Sequence, residues 1–147
     1  MSEHTREPQY QPCVEHRDAN GLERLGLMAG YSWHVDPKRL TFVLARYKFV
    51  AKMLSGRRPV LEVGCADAFG TRVVLQETGA VTAIDFDEVF VRDVKDRASE
   101  RWPIDVRLHD ILDGPVEGSF AGAYSLDVIE HIPVEREHAF VGNIAAS

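Results

Sequence analysis

The chain has 147 residues, 45% hydrophobic and 27% charged, enough for one domain with a buried core. Its formal net charge of −6 argues against a general nucleic-acid binder, which carries a basic excess. Cys13 and Cys65 make neither a disulfide framework nor a zinc pattern, and no apolar run approaches the length of a membrane span. The N-terminus is polar and has no apolar signal segment, so the expected location is the cytoplasm of a cell with reduced thiols.

Residues 1–20 are polar, hold Pro8 and Pro12, and show little periodicity; they are expected to form a mobile arm ahead of a domain spanning 21–147. Asp36 and Pro37 have the chemistry of a helix start, with Asp36 as N-cap. Leu40, Val43, Leu44, Tyr47, Ala51 and Leu54 then recur at helical spacing, and Gly56 ends the helix. Lys38, Arg39, Arg46, Lys48 and Lys52 give it a basic surface, read first as a solvated face and second as a contact for an acidic or sugar-phosphate ligand. Tyr31, Trp33 and His34 precede it, either as packing or as part of a lid.

Val60 to Val63 is a continuous apolar run around one acid, the pattern of a strand buried on both faces. A loop of small residues follows, Gly64-Cys65-Ala66-Asp67-Ala68, then a short helix over 70–78 closed by Gly79. Small side chains at such a strand-to-helix turn let a ligand approach the backbone. Residues 80–84 form a second strand ending in Asp85. A helix is expected over 88–101, stopped by Trp102-Pro103, then a strand over 104–108, a fourth strand over 120–128 and a last helix opened by Pro133 and Glu135. This alternation predicts an α/β fold with a doubly wound, mostly parallel sheet and helices on both faces.

In such sheets ligands sit beyond the carboxyl ends of the strands. Four successive strands place Glu62, Asp85, Asp110 and Asp127 at or near that edge. Asp85 suits the two hydroxyls of a ribose, Phe86 the face of a base, Asp110 an exocyclic amine and Glu62 an ammonium group. Singly, each acid is as well explained by the polarity of loops or by helix capping. Together, in order, they describe a site for an adenosine with a charged amino-acid tail.

These residues resemble class I S-adenosylmethionine-dependent methyltransferases of the small-molecule, ubiquinone-biosynthesis type. The likeness runs from Val60 to about Pro133, through Leu61-Glu62-Val63-Gly64-Cys65-Ala66-Asp67-Ala68, Ala83-Ile84-Asp85-Phe86-Asp87, Leu108-His109-Asp110-Ile111 and Ala123 to Ile132. The resemblance implies a Rossmann-like fold and S-adenosylmethionine as cofactor, with S-adenosylhomocysteine as product. It also implies methyl transfer to oxygen or nitrogen of a small-molecule acceptor; the basic helix suits an acidic or sugar-like one, and the net charge and lack of a long apolar run give no expectation of nucleic acid or membrane partners. By it, Gly64, Cys65 and Ala66 approach the methionine part and Glu62 orients it. Asp85 takes the ribose, Asp110 and Ile111 the adenine, and Ser125, Leu126 and Asp127 line the floor near the sulfonium.

His131 is the candidate general base, against a plain role in packing the following turn. Asp127, Glu130 and His131 also resemble part of a metal site in RNA-end methyltransferases, but the further downstream histidine is lacking and no metal is assigned. Ala66 and Ala68 stand where the family often has glycine, which crowds the turn if the backbone there takes positive φ. Family members carry seven strands, so four correspond to the N-terminal half of the fold. The expectation is a fragment of a longer protein, or a partner pairing with the exposed edge of the fourth strand. Two other readings stay open: a non-catalytic cofactor-binding or interaction module, and a nicotinamide-dependent oxidoreductase.

Overall fold

The computed structural model describes residues 3–147. Four parallel strands lie in the order β3-β2-β1-β4: β1 Val60–Val63, β2 Val81–Asp85, β3 Asp105–Leu108 and β4 Gly122–Ser125. Every residue of β1 and β2 is buried, because these central strands are covered on both faces. β3 and β4 are the edges and are more exposed.

Side chains alternate across the sheet. On one face, Val60, Val81 and Tyr124 pack with Tyr47, Val50 and Ala51 of helix α3 (Lys38–Met53) and Val74 and Leu75 of α4 (Thr71–Thr78). Ala83 meets Val94 of α5 (Glu88–Asp96) on that same face. On the opposite face, Leu61, Val63 and Ile84 pack with Ile111, Val116 and Phe140, the last from α6 (Val134–Ala146). Helices therefore cover both faces, as the strand–helix alternation predicts. Gly79 closes α4 in the left-handed region (φ 77°), its N–H donating to Leu75 O at 2.8 Å.

The structure departs from the sequence expectation in five places. Residues 11–20 form an exposed helix α1 (Gln11–Asn20) after a 3-10 turn at Pro8–Tyr10, where an arm without regular structure is expected; Met1 and Ser2 lie outside the described residues. A further helix, α2 (Leu27–Val35), occupies the segment of Tyr31, Trp33 and His34. Asp36 does not cap α3 with its side chain; its carbonyl accepts from Arg39 N–H, and Pro37 takes the cap position. Helix α5 ends at Asp96, where the Arg97 backbone leaves helical geometry (φ −110°, ψ 20°) and its N–H turns to the Val94 carbonyl. Strand β4 stops at Ser125, because Asp127 has φ 56° and a 3-10 turn, Ile129–His131, follows.

Candidate cofactor site

The loop after β1 is shaped by close contacts. Gly64 has φ 75°, and a Cβ there would lie 2.4 Å from Val128 Cγ2. A Cβ at Gly70 would lie 2.2 Å from the Tyr47 ring, so both positions are closed to larger residues. Between them Ala66 and Ala68 adopt φ 46° and 50°. Left-handed backbone at an L-residue costs about 1–2 kcal/mol, which the surrounding contacts must offset. One such contact is the Ala66 N–H, which donates to Asp85 Oδ2 at 2.7 Å. Gly64 and Cys65 N–H both reach the carbonyl of Ile84, at 2.9 and 3.0 Å.

The loop forms one wall of a cavity of about 910 Å³ beyond the carboxyl ends of the strands. Gly64, Cys65, Ala66, Asp85 and Phe86 line it from β1 and β2. Asp110 and Ile111 follow β3, and Leu126, Asp127 and His131 follow β4. These residues, expected from the sequence to share a site, border one cavity. Asp85 is 8% exposed; its Oδ1 accepts from Asp87 N–H at 2.9 Å. With one backbone donor on each oxygen, a carboxylate still has lone pairs for two sugar hydroxyls. Phe86 is 73% exposed beside it, an apolar ring facing open space. Asp110 Oδ1 takes the Leu112 N–H at 2.8 Å. Nothing from the N-cap side chain closes the start of α4.

Two expected members of the site do not line it. Glu62 points with Val60 toward α3 and α4 and is 1% exposed. Its Oε1 accepts from Tyr47 Oη at 2.6 Å, and its Oε2 from Thr71 Oγ1 at 2.5 Å and Tyr124 Oη at 2.8 Å. Burial raises the Glu62 pKa and the three hydroxyl donors oppose that rise. Burial beside Glu62 in turn pushes both tyrosines up. Ser125 donates its hydroxyl to Val63 O at 2.9 Å and lies behind the wall that Leu126 and Asp127 form. Cys65 is also buried, and its thiol is pushed up and stays neutral.

Helix α3 also contributes to the cavity, though none of its residues is among the expected site residues. Arg39, Phe42, Val43 and Arg46 face it at helical spacing along α3. Arg46 Nη2 pairs with Asp127 Oδ2 at 2.5 Å, both groups being partly exposed. Residues 37–61 hold seven Lys or Arg and no acid, in a chain whose formal net charge is −6. Met28, Ala29 and Ser32 of α2 complete the rim. The sequence hides this helix, because Gly26 and Gly30 interrupt its window and no N-cap residue of its own precedes it. Among the described residues there is no cluster of side chains that could hold a metal ion, and no helix is long and apolar enough to cross a membrane.

A family model described as a methyltransferase domain matches residues 60–147. No curated protein matches. Among solved structures, the N-methyltransferase NodS from Bradyrhizobium japonicum WM9, in complex with S-adenosyl-l-homocysteine, superposes with a TM-score of 0.63 at 18% identity over 72% of this chain and 55% of its own. Magnesium protoporphyrin IX methyltransferase (ChlM) from Synechocystis PCC 6803 gives 0.60 at 20% identity, over 70% and 50%. The 23S rRNA methyltransferase ErmE gives 0.52 at 22% identity, over 67% and 39%. The chain therefore spans about half the length of the first two. At these identities the likeness carries the fold. The cavity fits the family's cofactor on its own evidence: a loop closed to side chains at Gly64 and Gly70, a carboxylate with spare acceptors at Asp85 and an exposed ring at Phe86. The shared fold, the matched domain and this cavity agree: the chain belongs to the S-adenosylmethionine-dependent methyltransferases, with S-adenosylmethionine as cofactor.

Proposed function

We propose that this domain transfers a methyl group from S-adenosylmethionine to an oxygen or nitrogen of a small-molecule acceptor. The observation that carries the proposal is the single cavity that brings the small-residue loop, Asp85, Asp110 and the β4 end to one place. S-adenosylmethionine supplies an activated methyl group. The backbone of Gly64, Cys65 and Ala66 holds the methionine part, Asp85 accepts from the ribose hydroxyls and Phe86 covers a face of the base. Asp110 and Ile111 border the adenine, and Leu126 and Asp127 the reacting end. The protein's main contribution is alignment of acceptor, methyl carbon and sulfur.

His131 stands on the cavity wall in the turn after β4, placed to take a proton from an acceptor that must lose one. Among the described residues Arg39 has no ion-pair partner, and it lines the same cavity, which favours an acceptor with an acidic or phosphate group. The net charge of −6 favours a small molecule over nucleic acid. Calorimetric titration with S-adenosylmethionine and S-adenosylhomocysteine, with NAD as control, tests the cofactor assignment. Micromolar binding of the first two alone is the expected result; binding of NAD alone would replace the proposal with a dehydrogenase.

A further inference from the structure

Asp67 lies in the middle of the cofactor loop yet is 2% exposed. It borders the cavity, and its carboxylate reaches the start of α2. Its Oδ2 accepts from Ala29 N–H at 2.7 Å, and its Oδ1 from Phe69 N–H at 3.2 Å. The free N–H groups of a helix start need acceptors, and here one arrives from a residue 38 positions later. A second foreign carboxylate, Asp93 Oδ2, stands 3.4 Å from Leu27 N. Arg97 joins the two, donating from Nη2 to Asp67 O at 2.5 Å and to Asp93 Oδ2 at 2.6 Å. Gly26, the N-cap of α2, has φ 116°, and a Cβ there would lie 2.6 Å from Asp67 Oδ2 and 2.8 Å from Arg97 Nη2.

The rest of α2 is weakly held. Ala29 and Ser32 are its buried residues, while Met28, Tyr31, Trp33 and Val35 are about half exposed or more. A helix with so little buried apolar area opens at low cost unless its end is pinned. The pin is Asp67, and its direction depends on the left-handed backbone of Ala66 and Ala68 on either side. The Ala66 N–H is in turn held by Asp85. One loop shape therefore presents residues 64–66 to the cavity and aims Asp67 at α2, which carries Met28, Ala29 and Ser32 to the cavity rim.

We infer that Asp67 is a positioning residue that couples cofactor binding to the closure of α2 over the cavity. This rests on the cofactor assignment above. A ligand that fixes the loop stabilises the α2 cap, and a fixed α2 strengthens ligand binding by the same factor. Loss of the carboxylate frees α2, and with it Met28, Ala29 and Ser32 at the rim, while Asp85, Asp110 and Asp127 keep their places on the cavity wall.

Hydrogen exchange with and without S-adenosylhomocysteine, read at the amides of residues 29–36, tests this together with calorimetry. In the unaltered chain, S-adenosylhomocysteine slows exchange along α2. Asp67→Ala speeds exchange of α2 in the free chain and leaves β1 and β2 as they were. It also abolishes the ligand-induced protection of α2 and weakens S-adenosylhomocysteine about tenfold. Asp67→Asn, which keeps an oxygen for Ala29 N–H, restores part of both effects. Gly26→Ala, off the cavity wall, displaces α2 from Asp67 and gives the same pattern; it carries the test if Asp67→Ala does not fold. A chain that binds S-adenosylhomocysteine with unchanged α2 exchange overturns the coupling alone. A chain that does not bind it overturns the cofactor site and the coupling with it. Wild-type exchange and affinity in Gly26→Ala also overturn the coupling.

Discussion

Glu62 and Asp85 sit on neighbouring strands, on the same face of the sheet, and do opposite things. In the parallel register Glu62 stands level with Ala83, so Asp85 lies two residues nearer the carboxyl edge. That offset is about 7 Å of strand. Below it, α3 and α4 cover Glu62, and three hydroxyls take up its oxygens. Above it, Asp85 reaches the cavity, and its oxygens hold one backbone N–H each. The same chemical group becomes a tie between layers or part of a cavity wall according to its height in the sheet. An acid in a strand-end motif is therefore assigned by its partners rather than by the motif.

The comparison breaks most visibly in stability. Glu62→Ala leaves the Tyr47, Thr71 and Tyr124 hydroxyls buried without their acceptor and is expected to cost about 3 kcal/mol or more in urea unfolding. A cost near zero would mean that Glu62 is not the tie described. Asp85→Ala is expected to act chiefly on binding, weakening S-adenosylhomocysteine by about 1–3 kcal/mol in calorimetry. Unchanged affinity would remove Asp85 from the ribose site.

The pH dependence sharpens the contrast. Burial holds the Glu62 pKa above the ordinary glutamate value of 4.5, so its share of stability is complete below that pH. This share is lost as pH rises through the folded-state value. Asp67, also raised by burial, adds to the same slope, while Glu23 and Asp105, lowered by Arg72 and Arg107, oppose it. Urea midpoints measured across pH for Glu62→Gln are expected to decline less on the alkaline side than those of the unaltered chain. Equal slopes would show that Glu62 ionises alike in both states. The smallest effect is in the loop between the two acids. Ala66→Gly relieves a left-handed alanine and is expected to stabilise the chain by about 0.5–1 kcal/mol, read in the same unfolding experiment.

Much of the central architecture is legible in the sequence because it is locally encoded. The apolar runs of β1 and β2 and the Gly79 stop of α4 each need only a few adjacent residues. The acids at 85, 110 and 127 reach the cavity because each ends or follows a strand. What escapes is set by partners far along the chain. Helix α2 takes its capping acceptors from Asp67 and Asp93, so no signal for its start stands beside it. Alternation shows that Glu62 faces the same way as Val60, but that Tyr47 of α3 and Thr71 of α4 close over it is a property of the assembled fold. Ser125 fails for the same reason, since its hydroxyl is spent on Val63 O of the neighbouring strand. The early end of β4 follows from one left-handed residue, Asp127, which composition does not announce.

Five of the seven cations in the acid-free run over residues 37–61 stand on α3, a local positive strip in a chain whose formal net charge is −6. Two of them, Arg39 and Arg46, line the cavity, so a charged solute entering it feels this strip at short range. That field reaches only about 8 Å through physiological salt, so its pull on any anion near the cavity fades as ionic strength rises, with every contact in the cavity unchanged.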